Sequence, residues 1–331
     1  MVRFRSGINS PGGKDRSLLE VLKRFPSYEF YLEPFLGSGI IYLNAPRARY
    51  AVLNDKYYEI YNYFNIITRF PKDFENFKKG VFGLISQKLW EDIRDGKIRP
   101  RNRIEKAYFF YYMNKMTRAG NPQHKAKASF RGMLPPTNSK KNVIEKIKKD
   151  FENLTFKDIR VNNTRPETNN DNGLLTPIDP RVIEKLRYVT LTCKDFRDAY
   201  SIFHKKYHIE RGLTKEAFIY FDPPYPGKEA PYYHIFQEKD HLDLIEILLN
   251  CPFRFMLSIG GDCEFYLDAM REAGYYIDEI PVKHSTNARY QYEKIEYCIM
   301  NYNYKTVPKP IEFEPESNQL SLTKFLEVSE N

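Results

Sequence analysis

The 331-residue chain has only four cysteines, Cys193, Cys251, Cys263 and Cys298, and no C-x-x-C pair among them. Such scattered thiols exclude a disulfide framework or a thiolate zinc site and suit the reduced core of a cytoplasmic protein. Its six histidines show no H-E-x-x-H or similar ligand spacing, so no metal is expected. No apolar run approaches the ~18 residues of a membrane span. The start, Met1 to Gly7, lacks the apolar core of a secretory leader. Acid is scarce in one stretch: Lys97 to Lys149 holds 15 Lys or Arg against Glu105 and Glu145 alone. That stretch is net +13 in a chain of +9, so the remainder is slightly acidic. One basic segment interleaved with aromatics and glycine turns is the footprint of a polyanion-binding surface, with nucleic acid favoured over a merely solvated face.

What is present begins with Gly7-Ile8-Asn9-Ser10-Pro11-Gly12-Gly13-Lys14. The spacing is not that of a P-loop, because Ile8 precedes Gly13 by five and Asp15 follows Lys14. It reads instead as a flexible glycine turn carrying Lys14 towards a small anionic ligand. Next, Phe30 to Ile40 runs as an apolar strand, Phe30-Tyr31-Leu32-Glu33, into Pro34-Phe35-Leu36-Gly37-Ser38-Gly39. Gly37 and Gly39 let backbone N–H groups approach a ligand at a helix start. Tyr42 stands where a dinucleotide fingerprint needs its third glycine, which disfavours a nicotinamide enzyme. A second strand, Tyr50 to Leu53, ends in Asn54-Asp55, near the spacing at which an acid grips ribose hydroxyls.

From about Tyr57 to Lys149 helical patterns such as Ile104, Ala107, Tyr108, Tyr111 appear without strands. This predicts an inserted helical domain with base-reading loops. Asn114, Lys115, Arg118, Lys125, Lys127 and Arg131 are the candidate DNA-binding residues. The phrase Val143-Ile144-Glu145-Lys146 recurs at Val182-Ile183-Glu184-Lys185, and only the second copy leads into the sheet. The strand Ala217-Phe218-Ile219-Tyr220-Phe221 then stops at Asp222-Pro223-Pro224-Tyr225. Two prolines cannot continue a ladder, so Asp222 and Tyr225 are expected on a stiff exposed loop at the ligand-binding edge of the sheet. An acid, rigid carbonyls and an aromatic suit a planar, amine-bearing ring. Helices and strands then alternate to Tyr302, implying one parallel-rich sheet interrupted by the insertion.

In this order, Pro11-Gly12-Gly13-Lys14, Glu33-Pro34-Phe35-Leu36-Gly37-Ser38-Gly39, Asn54-Asp55, the insertion and Asp222-Pro223-Pro224-Tyr225 resemble the D12 class (Dam family) of adenine-specific DNA methyltransferases. The resemblance implies an α/β fold: a Rossmann-like S-adenosylmethionine-dependent methyltransferase sheet with an inserted helical DNA-recognition domain. It divides the chain into a catalytic domain of residues 1–58 and 174–305, a target-recognition domain of 59–173 and a flexible tail of 306–331. It further implies transfer of methyl from S-adenosylmethionine to a flipped-out adenine of double-stranded DNA, with a cognate restriction endonuclease as a further partner. Asp222, Pro223, Pro224 and Tyr225 would be catalytic. Ser10, Lys14, Glu33, Phe35, Gly37, Gly39, Asp55, Asp195, Phe196 and Asp222 would hold the cofactor. An RNA adenine methyltransferase shares the catalytic loop, and a non-catalytic DNA-binding module would need only the basic insertion. In the tail, Gln319, Leu322, Phe325 and Leu326 resemble a sliding-clamp peptide, Q-x-x-L-x-x-F-[FL].

Overall fold

A computed structural model describes residues 3–10, 12–78, 86–117, 176–227, 236–287 and 290–313, without the side chains of 283–293. Seven strands form one sheet: β1 (Phe30–Glu33), β2 (Tyr50–Asn54), β3 (Val189–Thr192), β4 (Ala217–Phe221), β5 (Arg254–Ile259), β6 (Tyr276–Asn287) and β7 (Tyr290–Met300). Their order is β3-β2-β1-β4-β5-β7-β6. The first five run parallel, and β7 pairs antiparallel with both β5 and β6. This is the expected Rossmann-like methyltransferase sheet. Because β2 and β4 lie on opposite sides of β1, the chain reverses its direction across the sheet there, which opens a crevice at the carboxyl ends of those strands.

Burial explains the strand sequences. All five residues of β4 are buried, as a parallel strand covered on both faces requires. The period of two sends Phe218 and Tyr220 into one core, and Ala217, Ile219 and Phe221 into the other.

Among the described residues, the helices are α1 (Leu18–Lys23), α2 (Ile40–Asn44), α3 (Tyr58–Arg69), α4 (Pro71–Lys78), α5 (Gln87–Arg94), α6 (Arg103–Met116), α7 (Pro180–Leu186), α8 (Phe196–His204), α9 (Glu238–Leu249) and α10 (Glu264–Glu272). The first core gathers residues of α1 to α7; α8, α9 and α10 cover the other face. No helix of the described residues is long and apolar enough to cross a membrane.

The expected domain boundary at residue 58 is not a boundary in packing. Tyr63, Phe64 and Ile67 of α3 share one core with Tyr31 of β1 and Tyr220 of β4. Helix α6 shows why this could not be read from amphipathicity. Every residue from Ala107 to Asn114 is buried, so it has no solvent stripe to mark its inner face.

The tail also starts later than residue 306. The Ser27 amide donates to the Pro308 carbonyl, and the Phe313 amide to the Arg47 carbonyl, while the Arg49 guanidinium lies over the Phe313 ring. Residues 306–313 are thus a strap along the amino-terminal edge of β1 and β2. The clamp-like residues Gln319, Leu322, Phe325 and Leu326 lie outside the described residues. Of the cysteines, three are buried but Cys193 is exposed, contrary to its expected place in the core.

Candidate active site

The crevice at the switch point is lined by residues that follow four different strands. Glu33 to Gly37 leave β1, Asp55 and Tyr57 leave β2, Asp195 and Phe196 leave β3, and Asp222 and Pro224 leave β4; Ser10, Gly13 and Lys14 close one side. The structure therefore brings together all but one of the residues expected to hold a cofactor. Gly39 lies just behind the lining, as the left-handed N-cap of α2 (φ 69°). The turn is tight for a steric reason. Gly37 has φ +52°, and a Cβ there would meet Ser10 Oγ at 2.9 Å. Asp55 fixes the same turn, its carboxylate accepting from the Gly37 and Tyr57 amides at 2.9 Å each.

Electrostatically the crevice is acidic. Glu33 is buried and accepts from the Tyr31 hydroxyl at 2.9 Å. Burial raises its carboxyl well above the usual range, and the charges of Asp222 and Asp55 add to the rise. Burial pushes Asp55 up to about 6 against its two amide donors. Asp222 is likewise pushed up to about 6 by burial, although Lys14 opposes the shift. Asp195 differs: despite partial burial, its bonds with Lys56 and Arg197 hold it below the usual value.

Of the two described lysines lining the crevice, Lys56 is exposed and Lys14 is the buried one. Its Nζ donates to Asp222 Oδ1 at 2.6 Å, to the Tyr225 hydroxyl at 2.7 Å and to the Gly12 carbonyl at 3.2 Å. With 1% of its side chain exposed, it is not a lysine waiting for a small anion, as the glycine turn suggested. Burial alone would lower its pKa, but the nearby charges of Asp222 and Glu296 outweigh this and keep it protonated. Glu296 of β7 accepts from the Ser17 hydroxyl at 2.9 Å.

Tyr225 also departs from expectation. It is 5% exposed, with Lys14 Nζ 4.8 Å from its ring centroid and its ring edge against Gly260. The backbone after Pro224 turns the ring inward, so it is held by the protein rather than displayed. Pro223 is buried beside it and Pro224 half-buried.

The same crevice is lined by an aromatic cage. The rings of Phe35 and Phe196 are 5.3 Å apart, those of Phe35 and Phe236 5.8 Å, and those of Phe196 and Phe236 5.6 Å. Phe236 was not legible in sequence: it lies in the connection before α9, with no periodicity to mark it. Glu296 was missed similarly, as one acid in an alternating strand.

Of the expected DNA-binding residues, Asn114 is corrected. It is wholly buried; its Oδ1 accepts from the Asn9 amide and its Nδ2 donates to the Asn9 carbonyl, both at 2.8 Å. A wholly buried amide spent on the Asn9 backbone cannot read a base edge. Lys115, the next residue, is half-buried and lines a second cavity. Arg118, Lys125, Lys127 and Arg131 lie outside the described residues.

The donor set fits S-adenosylmethionine, a cofactor with a sulfonium, an ammonium, a ribose and a purine. Among the described lining residues, five carboxylates against Lys14 and Lys56 favour a cationic ligand. Asp55 retains acceptor capacity for hydroxyls, and the cage offers ring faces to a purine. Among known families, the one described as D12 class N6 adenine-specific DNA methyltransferase matches residues 10–279. No curated protein matches the chain.

Proposed function

Since the chain belongs to the D12 class of N6 adenine-specific DNA methyltransferases and so methylates adenine in DNA, we propose the following residue roles for that reaction. Asp222 and the Pro223 carbonyl accept the two N–H bonds of the adenine amine. This draws the nitrogen towards a tetrahedral geometry and frees a lone pair otherwise delocalised into the ring. Charge-assisted bonds of this kind are the stronger sort, and a desolvated site strengthens them where charge develops. S-adenosylmethionine, when bound, supplies an electrophilic methyl group on its sulfonium. Glu33 and the Gly37–Gly39 turn hold the amino-acid end, Asp55 the ribose, and Phe35, Phe196 and Phe236 the purine. Lys14 keeps Asp222 charged before the base arrives. The amine lies inside a duplex, so the adenine must be flipped out to reach Asp222. The basic segment after α6 is our proposed target-recognition element on double-stranded DNA.

The observation that carries these roles is the placement of Asp222 at the end of β4, in one crevice with Glu33 and Asp55. The test is tritium transfer from labelled S-adenosylmethionine to duplex DNA by Asp222→Ala, alongside calorimetric binding of the cofactor. Retained binding with turnover reduced by about a hundredfold or more is expected; near-normal methylation would sink the assignment. A sliding clamp as partner rests on Gln319, Leu322, Phe325 and Leu326 alone. Loss of clamp pulldown on Phe325→Ala is the expected result, and undiminished capture would dismiss it.

A further inference from the structure

We propose that the cavity between residues 5–10 and the carboxyl end of α6 seats one backbone phosphate of the DNA, with Lys115 and Arg5 as its cations. The proposal rests on the DNA-methylation reading and adds a site to it. The cavity, of about 210 Å³, shares Ser10, Gly13, Ser38 and Ile40 with the cofactor crevice, so the two are separated by one layer of chain. Their charges differ in sign. Among the described residues the crevice is lined by Glu33, Asp55, Asp195, Asp222 and Asp240 against Lys14 and Lys56, whereas the cavity is lined by Arg5 and Lys115 against Asp15. A phosphodiester carries one negative charge. The first chamber repels it and the second attracts it.

The wall is preformed. Asn114 clamps both backbone groups of Asn9. The Ser6 hydroxyl donates to the Ser38 carbonyl at 2.6 Å, and the Tyr63 hydroxyl donates to the Ser6 carbonyl. A seat held in place before binding forfeits little ordering entropy when it is filled. Among the described residues Arg5 pairs with Asp15, at 3.0 Å between two exposed side chains, a pair that solvent screens to little net value. Sharing that guanidinium with a phosphate is therefore cheap. Lys115 enters from the opposite wall, on the last turn of the helix that leads into the basic segment.

The test is the salt dependence of binding to a short duplex of fixed sequence, read by fluorescence anisotropy. Each lost phosphate contact should flatten the slope of log K against log salt by about 0.9. Lys115→Gln and Arg5→Gln are each expected to show that change, with calorimetric affinity for S-adenosylmethionine unaltered. Arg5 is exposed, so its variant reports on the site even if Lys115→Gln misfolds. An unchanged slope in both folded variants would overturn the proposal. So would weakened cofactor binding, which would assign the cavity to the cofactor's carboxylate. Absence of any salt-dependent DNA binding by the unaltered chain would remove the target-recognition reading as well, and so is distinguishable from failure of the seat alone.

Discussion

Lys14 and Asp222, 208 residues apart in sequence, meet at 2.6 Å in the crevice. The pair joins the first segment of the chain to the loop that ends β4, and it sets the charge of the acid proposed to take the adenine amine. Lys14→Met removes the cation while keeping the length of the side chain. Asp222, already at about 6 through burial, then loses the interaction that opposes its rise. The pH–rate profile of methyl transfer should keep its shape but move to higher pH on its acid limb. An unmoved acid limb would show that Lys14 does not tune Asp222.

Cofactor affinity should depend on pH in the same window. In the free protein Asp55 and Asp222 are raised to about 6 and Glu33 well above its usual value. A cationic ligand favours their ionised forms, so binding releases protons and strengthens as pH rises through about 6. Calorimetry in two buffers of different ionisation enthalpy reads this release directly. The free protein responds oppositely: raised acids contribute stability that is full below their unfolded values and lost as pH rises through about 6. Stabilisation by the cofactor in thermal melts should therefore be greater at pH 7 than at pH 5.

Gly37→Ala forces a left-handed backbone on a residue with a Cβ and drives that atom towards Ser10 Oγ. A cost of about 1–3 kcal/mol is expected, read as weaker cofactor binding and a lower melting temperature. Adding Ser10→Ala removes the hydroxyl but not the φ angle. The double variant should recover part of the loss; recovery of none would mean that the backbone strain alone is decisive.

Asn114→Ala should behave as a core lesion rather than as a DNA-contact lesion. It removes two hydrogen bonds from a wholly buried side chain to the backbone of the exposed Asn9, a loss of about 1–3 kcal/mol, seen in chemical denaturation. Its salt slope for DNA should match that of the unaltered chain, in contrast to Lys115→Gln. A flattened slope with normal stability would restore Asn114 to the DNA surface.

Lys185 offers a stability test away from the site. Burial lowers it to about 8, and its Nζ donates to the Ala45 carbonyl. Between that value and its unfolded 10.5 the unfolded chain binds more protons, so this group makes stability rise with pH. Lys185→Met should abolish that increment when the two proteins are compared across the window.

Much of this architecture was legible because it rests on local rules. Two prolines end β4 wherever they occur, glycines with positive φ mark the turn after β1, and alternation of helix and strand forces crossovers. Asp222 and Asp55 could therefore be placed at one sheet edge from these local rules, whereas Glu33 joined them through the family resemblance. What sequence could not show were relationships across long separations. Asn114 sits beside Lys115 in a basic stretch, and only the fold reveals that one is buried against Asn9 while the other lines a cavity. Tyr225 follows a rigid turn whose direction depends on Gly260, a residue on the neighbouring strand's exit. Phe236 completes a ring cage with Phe35 from the turn after β1 and Phe196 at the start of α8, and no periodicity announces it.

The strap of residues 306–313 gives the molecule a front and a back. It runs along the amino-terminal edge of β1 and β2, whereas residues 3–10 lie against the crevice at the opposite edge. A fluorophore or surface anchor attached at Phe313 itself would start from the edge away from the crevice. An appendage joined at Arg3 would start from the segment whose residues 5–10 line the second cavity. For any immobilised or chimeric form of this enzyme, the polarity of attachment should matter more than the length of the linker.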